Sequence, residues 1–205
     1  MQNIIYIFDL FGTAIFALTG VLAGFKHRMD PFGILVLAIV TAVGGGTTRD
    51  IILGVTPVFW LSDSNYLWMI SITVLLSLVM IRESKQARLS LLQFADAFGL
   101  ALFTMIGADK ALMLGYSWNI AIFMGVLTGV GGGIMRDVLC RRIPLVLQKE
   151  VYATAALIGA LVYSSGFYLG LSAQLSAICS ISTTLAIRLA AIYWQMSLPI
   201  LNSRY

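Results

Sequence analysis

Charge is scarce in this chain. Asp, Glu, Lys and Arg make up 11% of its 205 residues, where a water-soluble domain carries roughly 25%. Sixty per cent of the residues are hydrophobic and mean hydropathy is +0.94. That leaves too little polar surface to cover a soluble globule, and it excludes intrinsic disorder. Histidine occurs once, at His27, which gives no basis for a histidine metal site. The two cysteines, Cys140 and Cys179, lie in or beside apolar stretches without partner spacing. They read as small packing residues, neither a redox nor a metal pair. No nucleophile–base constellation, Cys/His cluster or basic nucleic-acid-binding domain is present. The expectation is a non-enzyme with no cofactor, no metal and no nucleic-acid partner.

What the chain has is apolar runs. They span 4–25, 32–55, 66–82, 90–108, 118–140, 150–170 and 172–195, and one bilayer crossing takes about 20 such residues. Backbone groups in lipid must be satisfied within the segment, so these runs read as helices. The fold class is an all-α membrane protein with seven transmembrane helices, and residues 1–205 form a single transmembrane domain. The first run lacks a basic leader, is too long for a signal peptide and is interrupted by Asp9. It reads as a retained first helix.

The connections carry an orientation signal. Lys26 and Arg28 lie in the first, Arg82, Lys85 and Arg88 in the third, Arg141, Arg142 and Lys149 in the fifth, and Arg204 follows the seventh run. The second and sixth connections hold no Lys or Arg and the fourth only Lys110. By the positive-inside rule the N-terminus lies outside and the C-terminus in the cytoplasm of a cell (inner) membrane. Trp60, Trp68, Trp118 and Trp194 stand near segment ends, as interfacial anchors do. Arg188 reads as a snorkelling residue near the inner end, and Lys149 and Glu150 as solvated.

Sliding the sequence along itself by 87 positions reveals a duplication. Asp9, Phe11, Gly12, Ala14, Phe16 and Gly20 fall on Asp96, Phe98, Gly99, Ala101, Phe103 and Gly107. Thr41, Val43, Gly44–Gly46, Arg49, Asp50 and Pro57 fall on Thr128, Val130, Gly131–Gly133, Arg136, Asp137 and Pro144. The unit is three helices, about 4–86 and about 90–170, with a seventh helix at about 172–195 outside it. Three is odd, so the second copy must enter the membrane from the opposite face. The expected arrangement is an inverted repeat with a pathway at the repeat interface.

The duplicated core reads GGGTTRD at 44–50 and GGGIMRD at 131–137. Three successive glycines weaken a helix by about 1 kcal/mol each. Gly44, Gly45, Gly46, Gly131, Gly132 and Gly133 therefore mark a kink or a short unwound stretch near mid-membrane, whose freed carbonyls would coordinate a cation. The alternative is close helix packing. Arg49, Asp50, Arg136 and Asp137 are ionisable groups at membrane depth, a functional signal by default. They form either a gate or a clasp between repeats. Adjacent residues do not face one another on a helix, so each Arg is expected to meet an acid from elsewhere, with Asp9, Asp96 and the opposite motif's Asp as candidates. Asp9 and Asp96 also read as interfacial anions near helix N-termini. Thr13, Thr19, Thr41, Thr104 and Thr128 add hydroxyls to a polar pathway or bond their own helices.

With the doubled GGGxxRD and the three-plus-three-plus-one layout, the chain resembles prokaryotic members of the TRIC (trimeric intracellular cation channel) family. It also resembles the related glycine-transporter-domain (UPF0126) membrane proteins. The resemblance runs from Asp9 through the last helix. It implies a homotrimer with one hourglass pore per protomer, bent second and fifth helices at Gly44–Gly46 and Gly131–Gly133, and passage of potassium with some sodium. The partners so implied are the bilayer with bound lipid, monovalent cations and further copies of the chain. A secondary transporter of glycine or another small zwitterion is the alternative, with an Arg for the carboxylate and an Asp for the ammonium.

Overall fold

The computed structural model describes residues 2–80, 85–148 and 151–196. Arg82, Lys149, Glu150 and Arg204, which the sequence pattern places in connections and at ends, lie outside the described residues. Among those described, the elements are α1 (Gln2–Lys26), α2 (Pro31–Ile52), α3 (Phe59–Ser62), α4 (Asn65–Met80), α5 (Lys85–Met113), α6 (Trp118–Leu139), α7 (Leu145–Gln148), α8 (Ala153–Tyr168) and α9 (Ala173–Tyr193). Five are long and apolar enough to cross a membrane, and α4 and α8 are shorter apolar helices. All seven expected segments are thus helical. The turns α3 and α7 follow Pro57 and Pro144, where a missing N–H favours a fresh helix start.

The boundaries repeat as the sequence does. Helix α2 begins at Pro31 and ends at Ile52, and α6 begins at Trp118 and ends at Leu139, 87 positions on at both ends. The stop signals repeat too. Gly54 and Arg141 occupy the left-handed region after α2 and α6, and Arg28 and Gly115 do so after α1 and α5. The following N–H then satisfies a carbonyl of the last turn, as Val55 does with Asp50 and Arg142 with Asp137. In each pair glycine adopts this conformation freely and arginine is strained in it.

Two expectations change here. The fourth expected helix, α5, runs from Lys85 to Met113, so Lys85 and Arg88 stand in its first turn and Lys110 in its last, and none of the three lies in a connection. Helix α2 stops at Ile52, short of the expected 55, because Gly54 turns the chain.

Helix α1 packs on α2 and α5, α5 on α6, and α2 crosses α6; α9 lies against α8 and α5. The contacts between the copies are reciprocal. A Cβ placed on Gly45 would strike the carbonyl oxygen of Thr128, and one on Gly132 that of Thr41. Each is the other shifted by 87. Position rises along α2 as it falls along α6, so the two helices cross antiparallel. Phe16 and Phe103 close the same interface, with ring centroids 5.0 Å apart.

Candidate functional site

The α-helical pattern runs without interruption through both glycine triplets, so the unwound alternative does not occur. Each triplet instead lets another group in. Gly131 faces the Cα of Gly45, Gly44 lies under Met135, Gly46 under the Phe59 ring, and Gly133 under the Tyr152 hydroxyl. Helices α2 and α6 therefore meet backbone to backbone at their crossing. The Thr41 hydroxyl donates to Leu37 O and that of Thr128 to Met124 O, each 2.6 Å. Thr19 likewise donates to Phe16 O. The buried hydroxyls of Thr13 and Thr104 have no partner among the described residues.

The two arginines sit just beyond the crossing, at opposite ends of the bundle. Both are buried, Arg49 to 2% exposure and Arg136 to 1%. Contrary to the expectation from helical spacing, each curls back onto its own neighbour. Arg49 reaches Asp50 Oδ1 at 2.8 Å and Arg136 reaches Asp137 Oδ1 at 3.0 Å. A guanidinium on a three-methylene stem covers that arc, whereas the spacing rule describes short side chains. Each aspartate's second oxygen pins the loop that follows, Asp50 Oδ2 accepting from Phe59 N and Asp137 Oδ2 from Leu145 N.

Among the described residues, an acid from elsewhere joins one of them. Arg136 donates to Asp96 Oδ1 at 2.8 Å. Asp96 is fully buried, which removes the interfacial reading for it. Asp9 accepts from the Tyr66 hydroxyl at 2.9 Å, and Asp50 takes Lys110 Nζ at 2.8 Å as its second cation. Arg49 also lies over the Phe59 ring, 5.6 Å from its centroid.

Two cavities lead to these motifs. One, of about 520 Å³, is lined by Asp9, Arg49, Tyr66, Asp109 and Lys110, at the N-terminal end of α1 and the C-terminal end of α5. The other, of about 90 Å³, is lined by Ala23, Lys26, His27, Arg136, Asp137 and Arg142 at the opposite end. Phe16 and Phe103 stand between them along α1 and α5. Outside the spans, the hydrogen bond from Tyr6 to Asp63, at 2.6 Å, holds that carboxyl below the usual carboxylate range.

Several contributors escaped the sequence reading. Asp109 is buried and accepts from the Tyr163 hydroxyl. Asp109 and Lys110 fall where the first copy has Leu22 and Ala23; that break in the duplication was the signal available. Tyr66 donates to Asp9, and Tyr152, 86 positions on, stands near Asp96 at Gly133. Phe59 and Leu145, the N–H donors to Asp50 and Asp137, are also 86 apart, so the second copy is one residue shorter just after its proline. Arg188 does not snorkel. It is 4% exposed, with its guanidinium 4.6 Å from the Tyr152 ring centroid, because α9 packs that face inward against α5 and α8.

A family profile described as Glycine transporter matches residues 6–82 and 93–168. A UPF0126 membrane protein of Vibrio cholerae is 51% identical over 197 residues, covering 96% of this chain and 82% of that protein. The UPF0126 inner membrane protein YadS of Escherichia coli is 47% identical, over 96% and 95% of the two chains. Among solved structures, a TRIC trimeric intracellular cation channel orthologue from Rhodobacter sphaeroides superposes with a TM-score of 0.91 at 37% identity, over 95% of this chain and all of that one. A prokaryotic TRIC channel crystallised in 0.5 M KCl superposes with a TM-score of 0.89 at 30% identity, over 97% of this chain and all of that one.

Proposed function

The chain belongs to the family that the glycine-transporter profile describes, together with the UPF0126 membrane proteins and the prokaryotic TRIC channels, and from that premise we propose that it is a cation channel of the inner membrane. It passes potassium and some sodium through one hourglass pore in each protomer of a homotrimer. The observation that carries this reading is the pair of cavities at opposite ends of the bundle, each reaching a buried Arg–Asp motif. The halves are inverted copies, which the reciprocal glycine–carbonyl contacts support. Helices α2 and α6 bend about Gly44–Gly46 and Gly131–Gly133 when the pore opens, since glycine resists bending least.

Buried arginines would oppose cation passage if they stood alone. Here each is paired with an aspartate, so its charge is compensated and the hydroxyls of Thr13 and Thr104 remain to meet an ion. Lys26, Arg28, Arg141 and Arg142 lie on the cytoplasmic side and the N-terminus faces out. The bilayer supplies the surrounding lipid.

One observation favours a second reading. The larger cavity presents Arg49 and Lys110 together with Asp9 and Asp109, which suits the carboxylate and ammonium of glycine or another small zwitterion. Purified protein in liposomes, assayed side by side for potassium flux and glycine uptake, separates the two. Voltage-driven potassium flux without saturable glycine uptake is the expected result. Saturable uptake with no potassium flux at any voltage would sink the channel reading.

A further inference from the structure

The two mouths are built from the same elements of the two copies and yet are lined by different charged groups. At the larger cavity Asp9, Asp50 and Asp109 face Arg49 and Lys110, three carboxylates against two cations. The smaller one is lined by Lys26, Arg136, Asp137 and Arg142, with Arg136 bound to Asp96 and Asp137. One break in the duplication adds a carboxylate and an ammonium to the larger mouth alone, because Asp109 and Lys110 occupy the positions of Leu22 and Ala23. Ala23 itself lines the smaller cavity.

Lys110 and Arg49 are both bound to Asp50 Oδ1, so their charge is directed at that carboxylate. Asp109 and Asp9 are each held by a neutral tyrosine hydroxyl, Tyr163 and Tyr66. A hydroxyl donor orients a carboxylate without cancelling its charge. Among the described residues neither of these carboxylates has an ion pair; both line the larger mouth, and a low-dielectric cleft concentrates their field.

We infer that Asp109 is a specificity-determining residue, selecting cations over anions at the mouth formed by the start of α1 and the end of α5. This rests on the channel reading. It makes the mouths unequal: cations are gathered at the larger one, and the smaller one lacks the equivalent carboxylate.

The test is reversal potential and unitary conductance of the purified full-length chain in planar bilayers under a potassium chloride gradient. Asp109→Asn keeps the acceptor for Tyr163 and removes the charge. The expected result is a fall in the potassium-to-chloride permeability ratio of about tenfold, the lower end of focusing in a charged cleft. The loss should be pronounced at 0.1 M salt and largely gone at 1 M, where the screening length shrinks from about 10 Å to about 3 Å. Asp109→Glu restores the ratio.

If Asp109→Asn does not assemble, Asp109→Cys with Cys140 and Cys179 replaced by Ala takes its place. A negatively charged thiosulfonate added at the larger mouth should restore the ratio, and a positively charged one should lower it further. An unchanged ratio in Asp109→Asn overturns the inference. So does a loss equal at both salt concentrations, or one that neither Glu nor the negative reagent repairs. A wild-type chain that passes no potassium overturns the channel reading and this inference with it, whereas a conducting wild type with an indifferent Asp109→Asn removes only the inference.

Discussion

Phe16 and Phe103 are the same residue of the two sequence copies, and they touch each other, ring centroids 5.0 Å apart and tilted by 55°. Residues that contact their own equivalents lie on the axis relating two halves of a structure. Gly12 beneath Phe103 and Gly99 beneath Phe16 repeat the relationship one layer out. These rings also separate the two cavities along α1 and α5.

Shortening either ring should therefore open the constriction. Phe16→Ala and Phe103→Ala are each expected to speed potassium flux into liposomes several-fold, and to lower stability by about 3–5 kcal/mol, the usual cost of emptying a buried aromatic site. Dye-reported flux and thermal unfolding of the purified protein measure both. Unchanged flux in both variants would show that the pathway runs elsewhere.

The glycine crossing admits no side chain. Gly45→Ala and Gly132→Ala would each drive a methyl group into a backbone carbonyl, with an expected loss of about 1–3 kcal/mol by overpacking. Because the two contacts are reciprocal, the losses should match. Melting temperatures of the two variants check this, and a loss confined to one of them contradicts the equivalence.

The arginines differ in what their removal leaves behind. Arg136→Ala strands both Asp96 and Asp137 in a buried setting, an expected cost of about 3–5 kcal/mol. Arg49→Ala leaves Asp50 with Lys110 and the Phe59 N–H, so it should be the milder change by at least half. Yield of folded protein and chemical denaturation rank them, and equal losses would mean that Lys110 does not compensate.

Arg188→Met tests the third buried guanidinium. No hydrogen-bonded acid is seen for it among the described residues, and its Nε is unpartnered. Loss of its contact with Tyr152 is expected to cost about 0.5–2 kcal/mol, well below the cost of Arg136→Ala. A larger loss would point to an ionic role for α9.

Much of the architecture was legible in the sequence. Apolar run length and the 87-residue register located the seven principal helices, whereas the helix stops at Gly54 and Arg141 emerged from the backbone conformation. Asp96 was named as a partner for Arg136, and the structure joins them. The adjacent Arg–Asp pairs were not legible, because helical spacing reports Cβ directions and says little of where a long side chain ends.

The sequence alone determined which backbone is helical, since burial in lipid leaves apolar runs no other way to satisfy their hydrogen bonds. It determined the duplication as well, which is a property of residue order. Only the tertiary structure decided that Lys110 rather than Asp9 completes the first motif, that α9 buries Arg188, and that Asp109 faces a cavity. Those outcomes depend on which helix faces meet, and packing between helices sets that geometry where one-dimensional periodicity cannot.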